Sequence, residues 1–204
     1  MSQPPVSPLR LVVLISGNGS NLQAIIDEIE NNNLPARIVA VISNKPDAYG
    51  LERAKKAGIE QHVLSHRDFD DREQYDHQLK NIIDEYQPDL IILAGFMRIL
   101  SNEFVEHYLH KMMNIHPSLL PKYKGLNTHQ RALDAGDKEH GCSVHFVTPE
   151  LDDGPVILQA TVPVKDDDTA ETLAARVYEQ EHRIYPEAIR LFAENKINKQ
   201  QSGN

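Results

Sequence analysis

The sequence predicts an α/β fold: a single domain on a mostly parallel, twisted sheet, with helices on both faces and an antiparallel C-terminal extension. Three observations predict it. Apolar runs of strand length alternate with segments whose apolar residues recur at helical spacing. One run, Leu90 to Leu93, is aliphatic throughout, as a central parallel strand covered on both faces should be. Val144 to Val147 and Val156 to Val164 are joined by only eight residues. A parallel crossover needs about a dozen, so these two strands should pair antiparallel.

The elements follow in order. Leu9 to Ile15 is a continuous apolar strand, and Leu22, Ile25, Ile26 and Ile29 then repeat at helical spacing. Ile38 to Ile42 is a second strand, Leu51 to Ala57 a short helix ended by Gly58, and Val63-Leu64 a brief third strand. A longer helix carries Tyr75, Leu79, Ile82, Ile83 and Tyr86 on one face, with Pro88 beyond its end. After Leu90 to Leu93, a helix capped by Ser101 leads into a strand holding Asn114 and His116. The last helix begins near Asp168-Thr169-Ala170-Glu171, an acid-x-x-acid spacing that resembles a capping box, and runs to about His182, with Pro186 restarting it. The domain therefore spans 9–194. Residues 1–8, with three prolines, and the almost wholly polar 195–204 should fray.

With 204 residues and 40% hydrophobic composition, the chain can bury one core. A net charge of −9 argues against a nucleic-acid partner, whose phosphates call for clustered Lys and Arg. No apolar stretch approaches the roughly 20 residues of a membrane span, and the first eight residues lack a signal-peptide core. The single cysteine, Cys142, excludes an intrachain disulfide and suits a reducing compartment, so a cytoplasmic location is expected. Cys142 lies in a strand-like run and reads as a small hydrophobe rather than a nucleophile.

The run Met113-Asn114-Ile115-His116-Pro117 is the strongest local feature. Strand side chains alternate, so Asn114 and His116 share a face opposite Met113 and Ile115. Pro117 has no N–H for the ladder and forces the chain out of the sheet directly after the histidine. The pair thus sits at a strand's carboxyl end, where open parallel sheets bind ligands. A core histidine with an asparagine fixing a turn is the plainer alternative.

Ser16-Gly17-Asn18-Gly19-Ser20-Asn21 links the first strand to the first helix, where N–H groups and the helix dipole can hold a phosphate. It is not a dinucleotide fingerprint. Leu22 stands where the third glycine belongs, and Ser43-Asn44-Lys45 stands where a ribose-binding acid would. NAD is therefore not expected, and a monophosphate fits better; a tight turn capped by Ser20 or Asn21 explains the loop about as well. Leu151-Asp152-Asp153-Gly154-Pro155 is ordinarily a turn, but folded over the Asn114-His116 strand end it brings a carboxylate that can orient the imidazole and favour its charged form. The ten histidines show no metal-ligand spacing, so no metal is expected. His62 with His66 and His107 with His110 read as surface residues, and Asp166-Asp167-Asp168 as a solvated acid cluster. No Gly-x-Ser-x-Gly elbow offers a serine nucleophile.

Together with Ala94-Gly95-Phe96-Met97-Arg98-Ile99-Leu100 and the full run Asn114-Ile115-His116-Pro117-Ser118-Leu119-Leu120-Pro121, these motifs resemble the phosphoribosylglycinamide formyltransferase family, in order, from about Leu11 to about Phe192. The resemblance implies a Rossmann-like formyltransferase fold and transfer of a formyl group from 10-formyltetrahydrofolate to the amine of glycinamide ribonucleotide in purine (IMP) synthesis, without metal, NAD or ATP. It implies Asn114, His116 and Asp152 as catalytic residues, and Gly19, Ser20, Asn21 and Glu181 as ribonucleotide contacts. Folate contacts would come from Arg72, from Met97, Arg98, Ile99 and Leu100, from Asn114, and from the loop of Thr148, Pro149, Glu150, Leu151 and Asp152. Phe96, Ile99 and Leu100 would line the pterin slot. Pro149 and Asn127 depart from residues common in the family. The partners implied are small molecules, with no nucleic acid or membrane, and the chain is expected as monomer or homodimer. Formyltetrahydrofolate deformylase and methionyl-tRNA formyltransferase share motifs but carry a further domain, which a chain of this length is not expected to hold. A nucleotide-binding module without catalysis is the rival from another class.

Overall fold

The computed structural model describes residues 7–194; the expectations for 1–6 and 195–204 lie outside it. Seven strands form one sheet: β1 (Leu9–Ile15), β2 (Ala36–Ser43), β3 (Gln61–Val63), β4 (Leu90–Leu93), β5 (Met112–His116), β6 (Glu139–Phe146) and β7 (Val156–Pro163). Their order is β3-β2-β1-β4-β5-β6-β7. Pairing is parallel from β3 across to β5 and antiparallel from β5 through β7. The sheet reverses direction of growth between β1 and β4, and their carboxyl ends flank the crevice in which such folds bind ligands.

Six helices cover it: α1 (Ser20–Glu30), α2 (Gly50–Lys56), α3 (Arg72–Glu85), α4 (Asn102–His107), α5 (Thr128–Asp134) and α6 (Ala170–Ala193). Alternation decides which strand residue meets which layer. Leu11, Val13 and Ile15 pack with Leu22, Ile25, Val177 and Ile184 of α1 and α6, whereas Val12 and Leu14 pack with Tyr75, Leu79 and Phe104 of α3 and α4. Each such side chain buried whole contributes about 2 kcal/mol, so the two layers hold the strand ends in fixed register.

Several expectations change. Helix α6 runs unbroken through Pro186, because Ile184, Tyr185, Ala188 and Ile189 are buried on either side and that packing offsets the missing backbone bond. Its cap is Thr169 with Thr172, not Asp168 with Glu171. Asp168 is not a solvated acid: it accepts two bonds from Arg176 and one each from the Lys165 N–H and the Thr172 hydroxyl, which hold its carboxyl well below the usual range. Strand β6 begins at Glu139, well before Val144, since Gly141 continues the ladder against Thr161. Helix α5 is too short to show a helical repeat, and the sequence reading passes over it.

Candidate active site

Strand β5 delivers Asn114 and His116 to the face that carries α3 and α4, while Met113 and Ile115 enter the opposite layer. The turn after His116 is held by named bonds. Ser143, paired with His116 across the sheet, donates to the Ser118 carbonyl at 2.7 Å and accepts from the Leu120 N–H. Gln159 donates to the Leu120 carbonyl, and Thr128 to the Pro117 carbonyl.

His116 is 6% exposed. Its Nε2 donates to the Tyr123 carbonyl at 2.8 Å, so that nitrogen carries hydrogen and Nδ1 is left for other work. Nδ1 lies 3.5 Å from Asp152 Oδ2. Between the adjacent acids, geometry discriminates sharply: the Asp152 side chain is 8% exposed, whereas Asp153 is 52% exposed and paired with Lys124. Asp152 takes a left-handed backbone, φ 50°, and its Oδ2 also accepts the Gly125 N–H at 2.9 Å. The loop can fold this closely because Gly154 has no side chain; a Cβ there would lie 1.7 Å from the Phe146 carbonyl oxygen.

A further side chain, absent from the sequence reading, completes the cluster. His145 stands directly opposite Asn114 in the β5–β6 ladder. Its Nδ1 donates to the Phe146 carbonyl at 3.0 Å, and its Nε2 meets Asn114 Nδ2 at 3.4 Å and Asp152 Oδ1 at 3.9 Å. Burial lowers its pKa, which keeps the ring neutral and Nε2 an acceptor. The only sequence signal was its place in an alternating strand, and without the register that points nowhere.

At the phosphate-loop end, Ser20 and Asn21 lie inside α1 rather than capping it. Gly19 occupies the cap position at φ 75°, and no side chain accepts from the first turn. The first-turn N–H groups are therefore offered outward. Asn21 donates to Glu181, which is 4% exposed on α6 and whose Oε2 has no partner. Burial raises the Glu181 pKa to about 7 against that bond. Ser16 joins three strand ends, donating to Asn44 at 2.6 Å and accepting the Met97 N–H at 2.7 Å. That gives Asn44 a structural role where a dinucleotide site would place an acid.

Arg72, Ile99, Leu100 and Pro149 line one cavity of about 490 Å³ with Asp76, Ser101 and Phe104. Met97, Ile99 and Leu151 expose large apolar surface, whereas Phe96 and Leu100 pack partly into the α3–α4 layer. The Arg98 side chain turns away from that surface and stacks 4.0 Å above the Tyr75 ring. Thr148 bonds within its own loop to the Glu150 carbonyl. Asn127 takes a left-handed backbone at the start of α5. Cys142 is fully buried, and burial pushes its thiol up to about 12. His107 pairs with Asp84 and His62 with Tyr86. Among the described residues, no helix is long and apolar enough to cross a membrane, and no three acidic, His or Cys side chains are placed to hold a metal.

A mostly parallel, doubly wound sheet with a buried Asn114–His116–Asp152 cluster at the carboxyl end of β5 defines the class: an α/β protein of Rossmann-like topology with a polar small-molecule site at its strand ends. A family model described as formyl transferase matches residues 9–189. Phosphoribosylglycinamide formyltransferase of Escherichia coli (strain K12) is 59% identical over 189 residues, covering 93% of this chain and 89% of that protein. The structure of phosphoribosylglycinamide formyltransferase from Coxiella burnetii in complex with CHES superposes with a TM-score of 0.89 at 56% identity, covering 92% of this chain and 88% of that one. The trifunctional purine biosynthetic protein adenosine-3 of Homo sapiens is 47% identical across 95% of this chain, which spans 19% of that protein. The chain belongs to the formyl transferase family and, within it, to the phosphoribosylglycinamide formyltransferases.

Proposed function

We propose that Asn114, His116 and Asp152 carry this enzyme's reaction, transfer of a formyl group from 10-formyltetrahydrofolate to the amine of N1-(5-phospho-D-ribosyl)glycinamide in purine synthesis, giving the N2-formyl product and tetrahydrofolate. The observation that carries the assignment is the His116–Asp152 contact beside Asn114. The substrate amine attacks the formyl carbon, forming the new C–N bond and a tetrahedral oxyanion. Asn114 Nδ2 and a protonated His116 Nδ1 donate to that oxygen, and one such preorganised donor is typically worth about 3 kcal/mol. The amine then loses a proton, N10 of the folate gains one, and the C–N10 bond breaks as the carbonyl reforms. Asp152, facing His116 Nδ1, relays that proton directly or through water.

Gly19, Ser20 and Asn21 would bind the phosphate through the open first turn of α1, and Glu181 would contact the ribonucleotide. Folate would occupy the cavity of Arg72, Ile99, Leu100 and Pro149, with its pterin against the Met97–Leu100 backbone and the Thr148–Asp152 loop carrying Glu150 and Leu151. Residues 9–194 form the catalytic unit, acting in the cytoplasm as monomer or homodimer on small molecules, without metal, NAD or ATP. A steady-state assay with both substrates and a chelator is expected to yield formylated ribonucleotide and tetrahydrofolate in equal amounts. Absence of product, or dependence on added metal or ATP, would refute this reading.

A further inference from the structure

The loop Ser16–Asn21 does not hold its shape alone. Arg53 of α2 donates from Nε to the Asn18 carbonyl and from Nη2 to the Asn18 side-chain oxygen, each at 2.8 Å, and from Nη1 to Gln23 Oε1 at 3.3 Å. The Gly50 N–H, at the start of the same helix, donates to the Gly17 carbonyl at 3.0 Å. Two facing glycines permit this approach. A Cβ on Gly19 would lie 2.7 Å from Gly50 Cα, and a Cβ on Gly50 would lie 2.4 Å from Ile15 Cδ1.

The charge on Arg53 is uncompensated. Its polar partners are neutral oxygens, its guanidinium lies 4.9 Å from the Tyr49 ring centre, and among the described residues no carboxylate pairs with it. The nearby His182 is held neutral by burial and by Arg53 itself. Three buried polar atoms near this loop have no partner: Asn21 Oδ1, Glu181 Oε2 and His182 Nε2. Two of these atoms are acceptor oxygens, which call for donor groups on a ligand, whereas the lone cation behind outward-facing N–H groups points to an anion of high charge density.

We infer that Arg53 is a positioning residue for phosphate recognition: it clamps the Ser16–Asn21 loop in its binding shape, and its unpaired charge makes the enzyme select a phosphate monoester over the dephosphorylated substrate. The inference rests on reading this loop as the ribonucleotide's phosphate site. Neither group reacts, so the effect belongs in binding.

The full-length protein, R53Q and R53K are compared with the ribonucleotide, its dephosphorylated nucleoside and inorganic phosphate. R53Q is expected to raise KM for the ribonucleotide about tenfold, leaving kcat and the folate KM within about twofold. The preference for phosphorylated over dephosphorylated substrate should shrink by the same factor, which a general folding defect would not do. R53K should recover part of the loss through its charge. An unchanged ribonucleotide KM, or equal losses on both substrates, overturns the inference. Calorimetric binding of inorganic phosphate to the resting protein, expected to be weaker in R53Q, tests the clamp without turnover. Equal binding overturns the clamp, whereas Arg53-dependent binding in a protein that makes no product leaves it standing and removes only the assigned reaction.

Discussion

His145 turns its Nε2 toward the Asn114 side-chain nitrogen at 3.4 Å, and this contact decides which way the Asn114 amide points. The Nδ1 of His145 is committed as donor to the Phe146 carbonyl, and burial keeps the ring neutral. Only the NH2 end of Asn114 can then face it, because an amide oxygen against an imidazole lone pair would be repelled. One of the two amide hydrogens stays free for an oxyanion. In the proposed reaction the donor is thus set before the chemistry begins, when reorientation would otherwise raise the barrier.

Replacing His145 by Phe should therefore lower kcat about tenfold with little change in either KM, because the donor is still present but no longer held. Steady-state kinetics beside a melting curve checks this. Full activity in a folded H145F protein would show that Asn114 needs no such partner.

Asp152→Asn should lower kcat by about two to four orders of magnitude, the range for a group that moves a proton in the transition state. Asp153→Asn should stay within about twofold, since its exposed pair with Lys124 is of the surface kind that contributes little. Measured side by side, comparable losses in both variants would mean that proximity to His116 is not what matters.

Glu181 supplies a pH signature. Its folded pKa of about 7 lies above the ordinary 4.5, so the folded protein holds more protons than the unfolded chain between those values. Stability contributed by the protonated form is complete below 4.5 and is lost as pH rises through about 7. Glu181→Gln should remove that slope and raise the melting temperature at pH 8 by a few degrees, roughly the shift produced by 1 kcal/mol. Ribonucleotide KM should rise in the same variant. A Glu181→Gln protein whose melting temperature keeps the wild-type pH dependence between pH 5 and 8 would contradict the assignment.

The opposite slope comes from His129 and His140, whose Nδ1 and Nε2 meet at 3.1 Å behind the turn that carries Tyr123. Burial lowers both pKa values, that of His140 to about 4, below the ordinary 6.5. Their neutral forms contribute stability that is present above about 6.5 and lost as pH falls toward 4. Because the Tyr123 carbonyl holds His116, acid should loosen this turn before the sheet melts. Hydrogen exchange across 117–129 at pH 7 and pH 5 would detect it, and uniform protection at both would exclude it.

Local pattern made much of this readable. Leu9–Ile15 and Leu90–Leu93 carry the strand bounds read from their apolar runs, and Ser101 caps α4 as its residue type suggests. Pro186 reads as a break in sequence because a proline's local effect leaves out the packing that carries α6 through it. Helix α5 escaped because seven residues show less than two helical repeats.

By itself the sequence determined the α/β class, a glycine-rich turn between the first strand and first helix, the strand end at Asn114 and His116, and, through motif resemblance, the chemistry and the choice of Asp152. These depend on neighbours along the chain, whose alternation and turn preferences are local properties. Only the tertiary structure decided that β1 lies between β2 and β4, that the first turn of α1 stays uncapped, that His145 orients Asn114, and that Arg53 of a separate helix holds the glycine loop. Those relations join residues up to dozens of positions apart, and pairing register and layer packing, which no local pattern encodes, bring them within hydrogen-bond range.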